Sequence, residues 1–166
     1  RNRQELEKGM KEAFLYDSRL ILEEGKTIRE CETAIIGNAY SESITTVGEI
    51  KVNADFYSYE AKYLEDSELI IPARLSEEQI ATVREYACRA FKAVDCSGLA
   101  RVDFFVDGGG NVLLNEINTI PGFTHISMYP KLWEHTGLSY PALLDRLIEI
   151  AIEKHQERQA LRTSIY

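Results

Sequence analysis

The sequence predicts an α+β fold, with mixed or antiparallel sheets and helices flanking them. Helix and strand patterns follow the order helix, strands, loop, strand, helix, hairpin, helix. This order differs from the strict strand–helix alternation of a Rossmann domain, and the chain contains no GxGxxG and no Walker lysine loop. With 166 residues, 45% of them hydrophobic and 28% charged, the chain fits one ordinary globular domain or part of a larger one.

The first third of the chain predicts one helix followed by strands. Apolar side chains recur at helical spacing over 3–17. Three apolar stretches then predict strands, the first of them short and buried: 19–24, 31–38 and 45–52. Residues 53–66 contain four aromatic residues and mixed charge without a clean period. We interpret them as a long functional loop, with a short amphipathic helix as the alternative.

The rest of the chain predicts an edge strand, a hairpin and two helices. Their ranges are 68–75 for the extended edge segment, 76–94 for a helix, 98–118 for the hairpin and 139–159 for the last helix. Pro72 favours a sheet edge. Ser76 and Gln79 form a capping box at the start of the first of these helices. The sequence DGGGN joins two strands and opens no helix, which favours a hairpin turn over a phosphate cradle.

Charge and cysteine content exclude several classes of protein. The net charge is −8 and no basic stripe occurs, which argues against nucleic acid as the main partner. No apolar run approaches the ~18 residues of a membrane span, and no signal peptide is evident. Cys31, Cys88 and Cys96 lack metal-binding spacing, so we expect small buried side chains in a reducing cytoplasm. Because the chain begins with Arg1, we expect a fragment or a processed chain.

The predicted hairpin gathers polar side chains on one face. Folding it about DGGGN places Asp103 opposite Glu116 and Arg101 opposite Asn118. Because side chains alternate along a strand, all four share a face. Like charges that lie directly opposite each other destabilise a sheet, and buried together they share a proton or need a cation.

The chemistry of this face favours a hard divalent cation. Two carboxylates and an amide oxygen suit Mg²⁺ or Mn²⁺, and Arg101 could stabilise negative charge that develops beside the metal. The alternative is a solvated face on which Arg101 pairs with both acids. The register assumes that Val106 pairs with Leu113, and it places Phe105 and Leu114 at the turn end of the same face.

An irregular loop follows the hairpin. Thr119, Gly122, Thr124 and Ser127 lie within it. Such a loop can offer backbone N–H groups and hydroxyls to an anion. The alternative is a plain connection to the next element.

Several motifs together resemble one enzyme family. Three motifs are similar to the C-terminal part of the D-alanine–D-alanine ligases, which are ATP-grasp enzymes. They are "GLARVDFF", "LNEINTIPGFT" and "ISMYPKLW". The stretch "DFYSYEAKYL" resembles the family's mobile active-site loop, and "LILEEGKTIRE" resembles its adenine-contacting hinge. The resemblance implies an ATP-grasp fold, C-terminal part, in three regions. These are 1–50 in the small lobe with the adenine hinge, 51–66 as the mobile loop, and 67–166 as the large lobe with the magnesium site.

The resemblance also implies an activity. ATP would activate one D-alanine as an acyl phosphate, and a second D-alanine would attack it to give the dipeptide used in peptidoglycan. The implied cofactors are ATP and two Mg²⁺ (or Mn²⁺) ions, and the implied partners are D-alanine, the family's N-terminal domain and a second subunit of a homodimer. That N-terminal domain has no counterpart here, so we expect this chain alone to be inactive or nearly so. Alternatives are a ligase for D-serine or D-lactate and a non-catalytic nucleotide-binding domain.

Individual roles follow from the same resemblance. Asp103, Glu116 and Asn118 match the magnesium ligands. Arg101 matches the arginine that steadies the acyl phosphate and the tetrahedral intermediate. The backbone N–H of Gly122 matches the oxyanion donor.

The remaining matches concern the two substrates. Ser127 and Met128 match the segment that receives the carboxylate of the second D-alanine. Lys62 matches a loop lysine at the phosphates, and Tyr63 matches the loop tyrosine linked to choosing D-alanine over D-lactate. The residues matched to the nucleotide are Glu23, Glu24, Gly25 and Lys26 at the adenine and Glu30 at the ribose.

Overall fold

The computed structural model describes residues 2–38, 40–51 and 68–162. The interpretation of 53–66 as a loop therefore lies outside the described residues. The helices and strands within the described ranges are α1 (Arg3–Ala13), β1 (Ile28–Asn38), β2 (Ser41–Lys51), β3 (Glu68–Ile70), α2 (Glu77–Ala93), β4 (Gly98–Asp107), β5 (Val112–Asn118), α3 (Met128–Thr136) and α4 (Tyr140–Ala160). No helix in these ranges is both long enough and apolar enough to cross a membrane.

The strands form one five-stranded sheet in the order β3-β2-β1-β4-β5. Every neighbouring pair is antiparallel. The predicted α+β class is thus confirmed, and the extended segment that contains the predicted edge strand supplies β3 at one edge. β1 is the central strand, paired along most of its length with β2 on one side and β4 on the other. Strands from 1–50 and from 67–166 therefore share one sheet.

Each face of the sheet has its own apolar core. Because side chains alternate along β1, Cys31 and Ile35 join the core beneath α2, while Ala34 and Ile36 join the core beneath α3 and α4. α2 buries one stripe of apolar side chains: Val83, Ala87 and Phe91 are buried, and Ile80 packs beside them. The predicted capping box starts this helix, with reciprocal bonds of 3.2 and 3.0 Å between Ser76 and Gln79.

The segment 19–24 does not form the predicted buried strand. It has no regular secondary structure, and its apolar side chains face solvent, with Ile21 85% and Leu22 65% exposed. A strand needs a neighbouring strand to accept and donate its backbone hydrogen bonds. Among the described strands, none pairs with this segment. The prediction of a short buried strand over 19–24 is therefore wrong.

α3 is a helix that the sequence pattern did not reveal. It is only nine residues long, yet Met128, Tyr129, Pro130, Leu132 and Trp133 are all buried. Such dense burial removes the polar side of the helical period that a sequence search relies on. Its boundary signals are present, with Ser127 at the N-cap and Gly137 at the C-cap in a left-handed conformation, φ 100°.

Tyr129 ties α3 to the central strand. Its buried hydroxyl donates a 2.9 Å hydrogen bond to the carbonyl of Ile35. We expect Tyr129→Phe to lower the free energy of unfolding by about 1–2 kcal/mol, because that carbonyl loses its buried partner. Urea denaturation of the variant measures the loss, and Tyr16→Phe, at a site 85% exposed, is the matched control. Equal stability of the two variants would contradict the prediction.

Candidate active site

The β4–β5 hairpin brings the predicted polar residues together. Arg101 pairs with Asn118 and Asp103 pairs with Glu116, which confirms the register predicted for this end of the hairpin. All four side chains lie on the face that α3 and α4 cover elsewhere. We call these four residues the acid face.

The register differs near the turn. Val106 pairs with Val112 rather than with Leu113, so the predicted pairing is wrong there. One extra residue on β5 forms a bulge between the Asp103 pair and the next pair toward the turn. As a result Leu113, and not Leu114, pairs with Phe105 and shares its face. Because of the bulge, Val106 can pair with Val112 near the turn while Asp103 still pairs with Glu116.

Arg101 is clamped by carboxylates from two strands. Its Nε and Nη2 donate to the two carboxylate oxygens of Asp103, each at 2.8 Å. Its Nε also lies 3.1 Å from Oε2 of Glu32 on β1. Burial by itself lowers the pKa of Arg101, but the hydrogen bonds to Asp103 and the charge of Glu32 outweigh it and raise that pKa above its ordinary value. The guanidinium therefore stays charged while largely removed from water.

Glu32 is a site residue that the sequence reasoning missed. It is 6% exposed and pairs across the sheet with Asp103. The alternation of β1 offered a signal, since Glu30 and Glu32 share the parity of the buried Ala34 and so point to the same face. A carboxylate at a core-facing position of a central strand needs a cationic partner, and Arg101 is that partner.

Asn118 links the two opposed acids. Its amide nitrogen donates to Oδ2 of Asp103 at 3.1 Å and to Oε1 of Glu116 at 2.9 Å. A half-turn of the amide would present its oxygen instead. The alternative in which Arg101 pairs directly with both hairpin acids is not what the structure has, because Asn118 occupies the place beside Glu116.

The donor set of the acid face fits a magnesium-like ion only in part. Among the described residues, no group of three or more His, Cys, Asp and Glu side chains is arranged to hold a metal. Asp103 and Glu116 supply two carboxylates, and Asn118 could add its amide oxygen. Mg²⁺ is usually held by one or two carboxylates, with substrate phosphates and water filling the remaining positions. The residues present therefore fit a metal–nucleotide complex better than a bare ion.

A cleft of about 680 Å³ opens over the acid face. The predicted site residues that line it are Glu30, Arg101, Asp103, Glu116, Asn118, Gly122, Ser127 and Met128. Cys31 also lies at this cleft, and burial raises the pKa of its thiol to about 12, as expected for an inert buried cysteine. Residues far apart in sequence, from β1, β4, β5 and the loop before α3, thus converge on one space.

The remaining predicted residues lie elsewhere. Glu24 and Lys26 belong to the irregular segment before β1 and form an exposed ion pair of 3.3 Å. Glu23 and Gly25 share that segment, which does not line the cleft in this structure. It leads into β1 at Ile28, which pairs with the turn end of β4. Lys62 and Tyr63 lie outside the described residues.

The loop before α3 is held in shape by Ser127. The Ser127 hydroxyl accepts from the backbone N–H of Thr124 at 3.0 Å instead of capping the helix. A Cβ placed on Gly122 would come 3.1 Å from that hydroxyl oxygen, so a larger residue there would crowd the loop. Tyr140 fixes the loop from outside by donating 3.1 Å to the carbonyl of Phe123.

Met128 lines the cleft although it is almost fully buried. Its side chain is 5% exposed and packs against β2, with its sulfur 2.7 Å from the point that a Cβ on Gly48 would occupy. The backbone N–H groups of the first helical turn have no partner within the helix. They point from the start of α3 toward the loop, where a helix N-terminus favours negative charge.

The sheet, its flanking helices and the cleft over the acid face define a C-terminal ATP-grasp domain. The family described as D-ala D-ala ligase C-terminus matches residues 1–149, and the chain belongs to that family. The D-alanine–D-alanine ligases of Bacillus pumilus and Bacillus cytotoxicus are each 48% identical over 99% of this chain. The chain covers 46% of each, so it spans about half the length of these curated relatives.

Solved structures agree with this assignment. The D-alanine–D-alanine ligase of Coxiella burnetii superimposes with a TM-score of 0.79 at 45% identity, over 96% of this chain and 42% of that one. The VanG D-Ala:D-Ser ligase of Enterococcus faecalis gives a TM-score of 0.77 at 37% identity, over 90% and 43%.

Proposed function

We propose that this chain is the nucleotide- and metal-binding half of an ATP-dependent ligase that joins two D-alanines for peptidoglycan synthesis. The observation that carries the proposal is the cleft, in which Arg101 and two opposed acids face the loop that holds Gly122 and Ser127. A phosphoryl transfer needs a place for a metal–phosphate complex and a donor for the charge that develops. The cleft would offer both within one space.

The nucleotide would enter from the end of the sheet where β1 begins. Glu30 lines the cleft and is the acid that we assign to the ribose hydroxyls. The segment from Glu23 to Lys26 immediately precedes β1, and we assign it to the adenine through backbone groups at Gly25 and Lys26. This segment lies outside the cleft here, so the assignment requires it to approach the base when ATP binds.

Asp103, Glu116 and Asn118 would hold Mg²⁺ or Mn²⁺, with two ions per site as the family resemblance implies. The bound ions would neutralise the phosphate oxygens and orient the terminal phosphoryl group. For its part, Asn118 would turn its amide so that the oxygen faces the cleft. In this structure Glu116 accepts a hydrogen bond from Asn118. Once the amide has turned, Glu116 would be free to coordinate the ion.

Arg101 and Gly122 would serve the two chemical steps. In the first, the carboxylate of one D-alanine takes the terminal phosphoryl group of ATP, and ADP leaves. In the second, the amine of the other D-alanine attacks the acyl carbon, and inorganic phosphate leaves as the peptide bond forms. Arg101 would stabilise the transferring phosphoryl group, and the N–H of Gly122 would donate to the tetrahedral oxyanion.

The second amino acid would bind by its carboxylate at the start of α3. The hydroxyl of Ser127 and the backbone N–H of Met128 are the donors that we assign to it. The VanG relative, described as a D-Ala:D-Ser ligase, makes D-serine a specific alternative for this substrate. We assign Lys62 to the phosphates and Tyr63 to the choice between D-alanine and D-lactate, both from resemblance alone.

The complete site would need parts beyond this chain. The relatives are about twice as long, and we propose that an equivalent N-terminal portion supplies the first D-alanine site and that the protein works as a homodimer in the cytoplasm. The division into 1–50, 51–66 and 67–166 remains a proposal.

Glu116→Gln tests the proposal. Losing one of two metal carboxylates is expected to weaken the Mg²⁺-dependent binding of ATP by more than about tenfold and to abolish ligation. Titration calorimetry of this chain with ATP, with and without MgCl₂, measures the first effect. Phosphate release with D-alanine, D-serine or D-lactate, in a chain that also carries the N-terminal portion of the relatives, measures the second.

The exposed Glu149, which pairs with Arg146 on α4, gives the matched control Glu149→Gln. This variant should bind ATP as the unmodified chain does. Unchanged magnesium dependence in Glu116→Gln would refute the metal assignment. Faster phosphate release with D-serine than with D-alanine would favour the alternative substrate.

A further inference from the structure

Arg101 and a bound cation would compete for the same carboxylate. Both oxygens of Asp103 accept hydrogen bonds from Arg101, and one of them also accepts from Asn118. Asp103 is also a proposed metal ligand. A divalent ion on this carboxylate would take up lone pairs that Arg101 now uses and would repel the guanidinium. Arg101 therefore needs a second anchor if it is to remain in the cleft once the metal binds.

Glu32 is placed to be that anchor. Its Oε2 lies 3.1 Å from Nε of Arg101, the same nitrogen that donates to Asp103. Its side chain is 8% exposed and stands on the central strand, directly across from Asp103. The acid and the arginine are thus fixed by neighbouring strands of one ladder and not by a mobile loop.

We propose that Glu32 is a positioning residue, which keeps the guanidinium of Arg101 in the cleft when a divalent cation takes over Asp103. This inference rests on the proposed function. It predicts an exchange of partners in which Nε of Arg101 shifts its hydrogen bond from Asp103 to Glu32, while the cation gains the freed carboxylate. Without Glu32, Arg101 would hold Asp103 more tightly and the metal would have to displace it.

The first experiment measures how much Mg²⁺ is needed for ATP binding. Glu32→Gln is expected to raise the MgCl₂ concentration for half-maximal ATP binding about tenfold, as loss of a supporting residue around a metal site commonly does. Glu32→Asp keeps the charge but shortens the side chain, and we expect a smaller rise in the same direction. The control is Glu49→Gln, which removes a similarly buried strand carboxylate from its pair with Arg29 on the other face of the sheet.

A double-mutant cycle separates positioning from a simple loss of negative charge. If Glu32 acts through Arg101, the effect of Glu32→Gln on the Mg²⁺ requirement should almost vanish in an Arg101→Met background. If the carboxylate merely attracts the cation, the same shift will appear in both backgrounds, which would overturn the inference. Glu32→Asp supplies the same comparison should Glu32→Gln fold poorly.

A spectroscopic signature gives a readout apart from metal binding. In the unmodified chain, the ¹⁵N-edited NMR signal of the Arg101 Nε–H should persist when Mg²⁺ and ATP saturate the site, because Glu32 accepts its hydrogen. In Glu32→Gln this signal should broaden or disappear on saturation, while Glu49→Gln keeps it. A signal that persists equally in Glu32→Gln would overturn the inference.

The outcomes distinguish this inference from the function on which it rests. If the unmodified chain binds ATP without any dependence on Mg²⁺, the metal assignment fails and the role of Glu32 fails with it. If the unmodified chain shows the dependence and Glu116→Gln loses it, but both Glu32 variants match Glu49→Gln, only the role of Glu32 is refuted.

Discussion

Arg101→Met is expected to lower the rate of ligation by at least about a hundredfold, while ATP still binds in the presence of Mg²⁺. The reason is that methionine cannot donate hydrogen bonds to the phosphoryl oxygens as charge develops on them. The measurement is phosphate release with D-alanine, in a chain that carries the N-terminal portion of the relatives, beside calorimetric ATP binding. Equal losses of binding and turnover would place Arg101 in nucleotide binding instead.

The same substitution should destabilise the fold. It leaves Glu32 and Asp103 facing each other in a largely buried position without their cation. Breaking a buried ion pair in this way costs about 3–5 kcal/mol of unfolding free energy. Mg²⁺ should restore part of the loss, because an ion that binds the folded state stabilises it. Thermal unfolding with and without MgCl₂ tests this.

A matched variant separates the loss of stability from the loss of chemistry. Arg29 forms a comparable two-pronged ion pair with Glu49 on the opposite face of the sheet, away from the cleft. Arg29→Met should therefore lower the free energy of unfolding, while the protein that remains folded should ligate at an unchanged rate. Arg101→Lys, which keeps the charge but loses the fork, should retain more stability than Arg101→Met and still ligate slowly. Similar ligation rates in all three variants would contradict a role for Arg101 in the chemical steps.

The second large effect is expected at Gly37, near the end of β1, where it pairs with Glu42 of β2. Its backbone has φ 135°, and an added Cβ would come 2.1 Å from the carbonyl oxygen of Ser41. Since that atom belongs to the paired backbone, the hairpin would have to open to admit a side chain. We expect Gly37→Ala to lower the free energy of unfolding by about 2–4 kcal/mol, which combines backbone strain with overpacking.

Two other glycines separate these contributions. Gly98 also has a positive φ, 102°, but has open space around its missing side chain. Gly98→Ala should therefore cost only the backbone strain, about 1–2 kcal/mol. Gly108 has neither constraint, so Gly108→Ala should be near neutral. Urea denaturation gives the ranking, and a Gly37→Ala loss no larger than that of Gly98→Ala would show that the hairpin absorbs the clash.

Strand alternation made the shared face of the four polar residues predictable from sequence. A regular ladder from the predicted pair Val106–Leu113 opposes Asp103 and Glu116, whereas from the observed pair Val106–Val112 the same opposition needs one extra residue on β5. The one-residue bulge on β5 could not be predicted, since no side chain marks it. It altered only the pairing near the turn, where Val106 meets Val112.

Other features depend on contacts across the fold that a local pattern does not contain. Alternation along β1 indicates which face Glu32 points to, but its partner Arg101 follows only from the pairing of β1 with β4. α3 was missed because the sheet and α4 bury most of its circumference. The prediction of a strand over 19–24 is wrong for the opposite reason, because this apolar segment has no neighbouring strand among those described.

The cleft has two walls of different mechanical character. One wall is formed by β1, β4 and β5, where Glu32, Asp103 and Glu116 are spaced by backbone ladders that hold neighbouring strands about 4.8 Å apart. The other wall is the irregular loop before α3, shaped by single contacts such as those of Ser127 and Tyr140. Substitutions in the loop can therefore reshape the cleft while the spacing of the carboxylates stays constant. Under the function that we propose, such a division lets a lineage change the amino acid that it ligates while it keeps the groups that activate the acyl carboxylate.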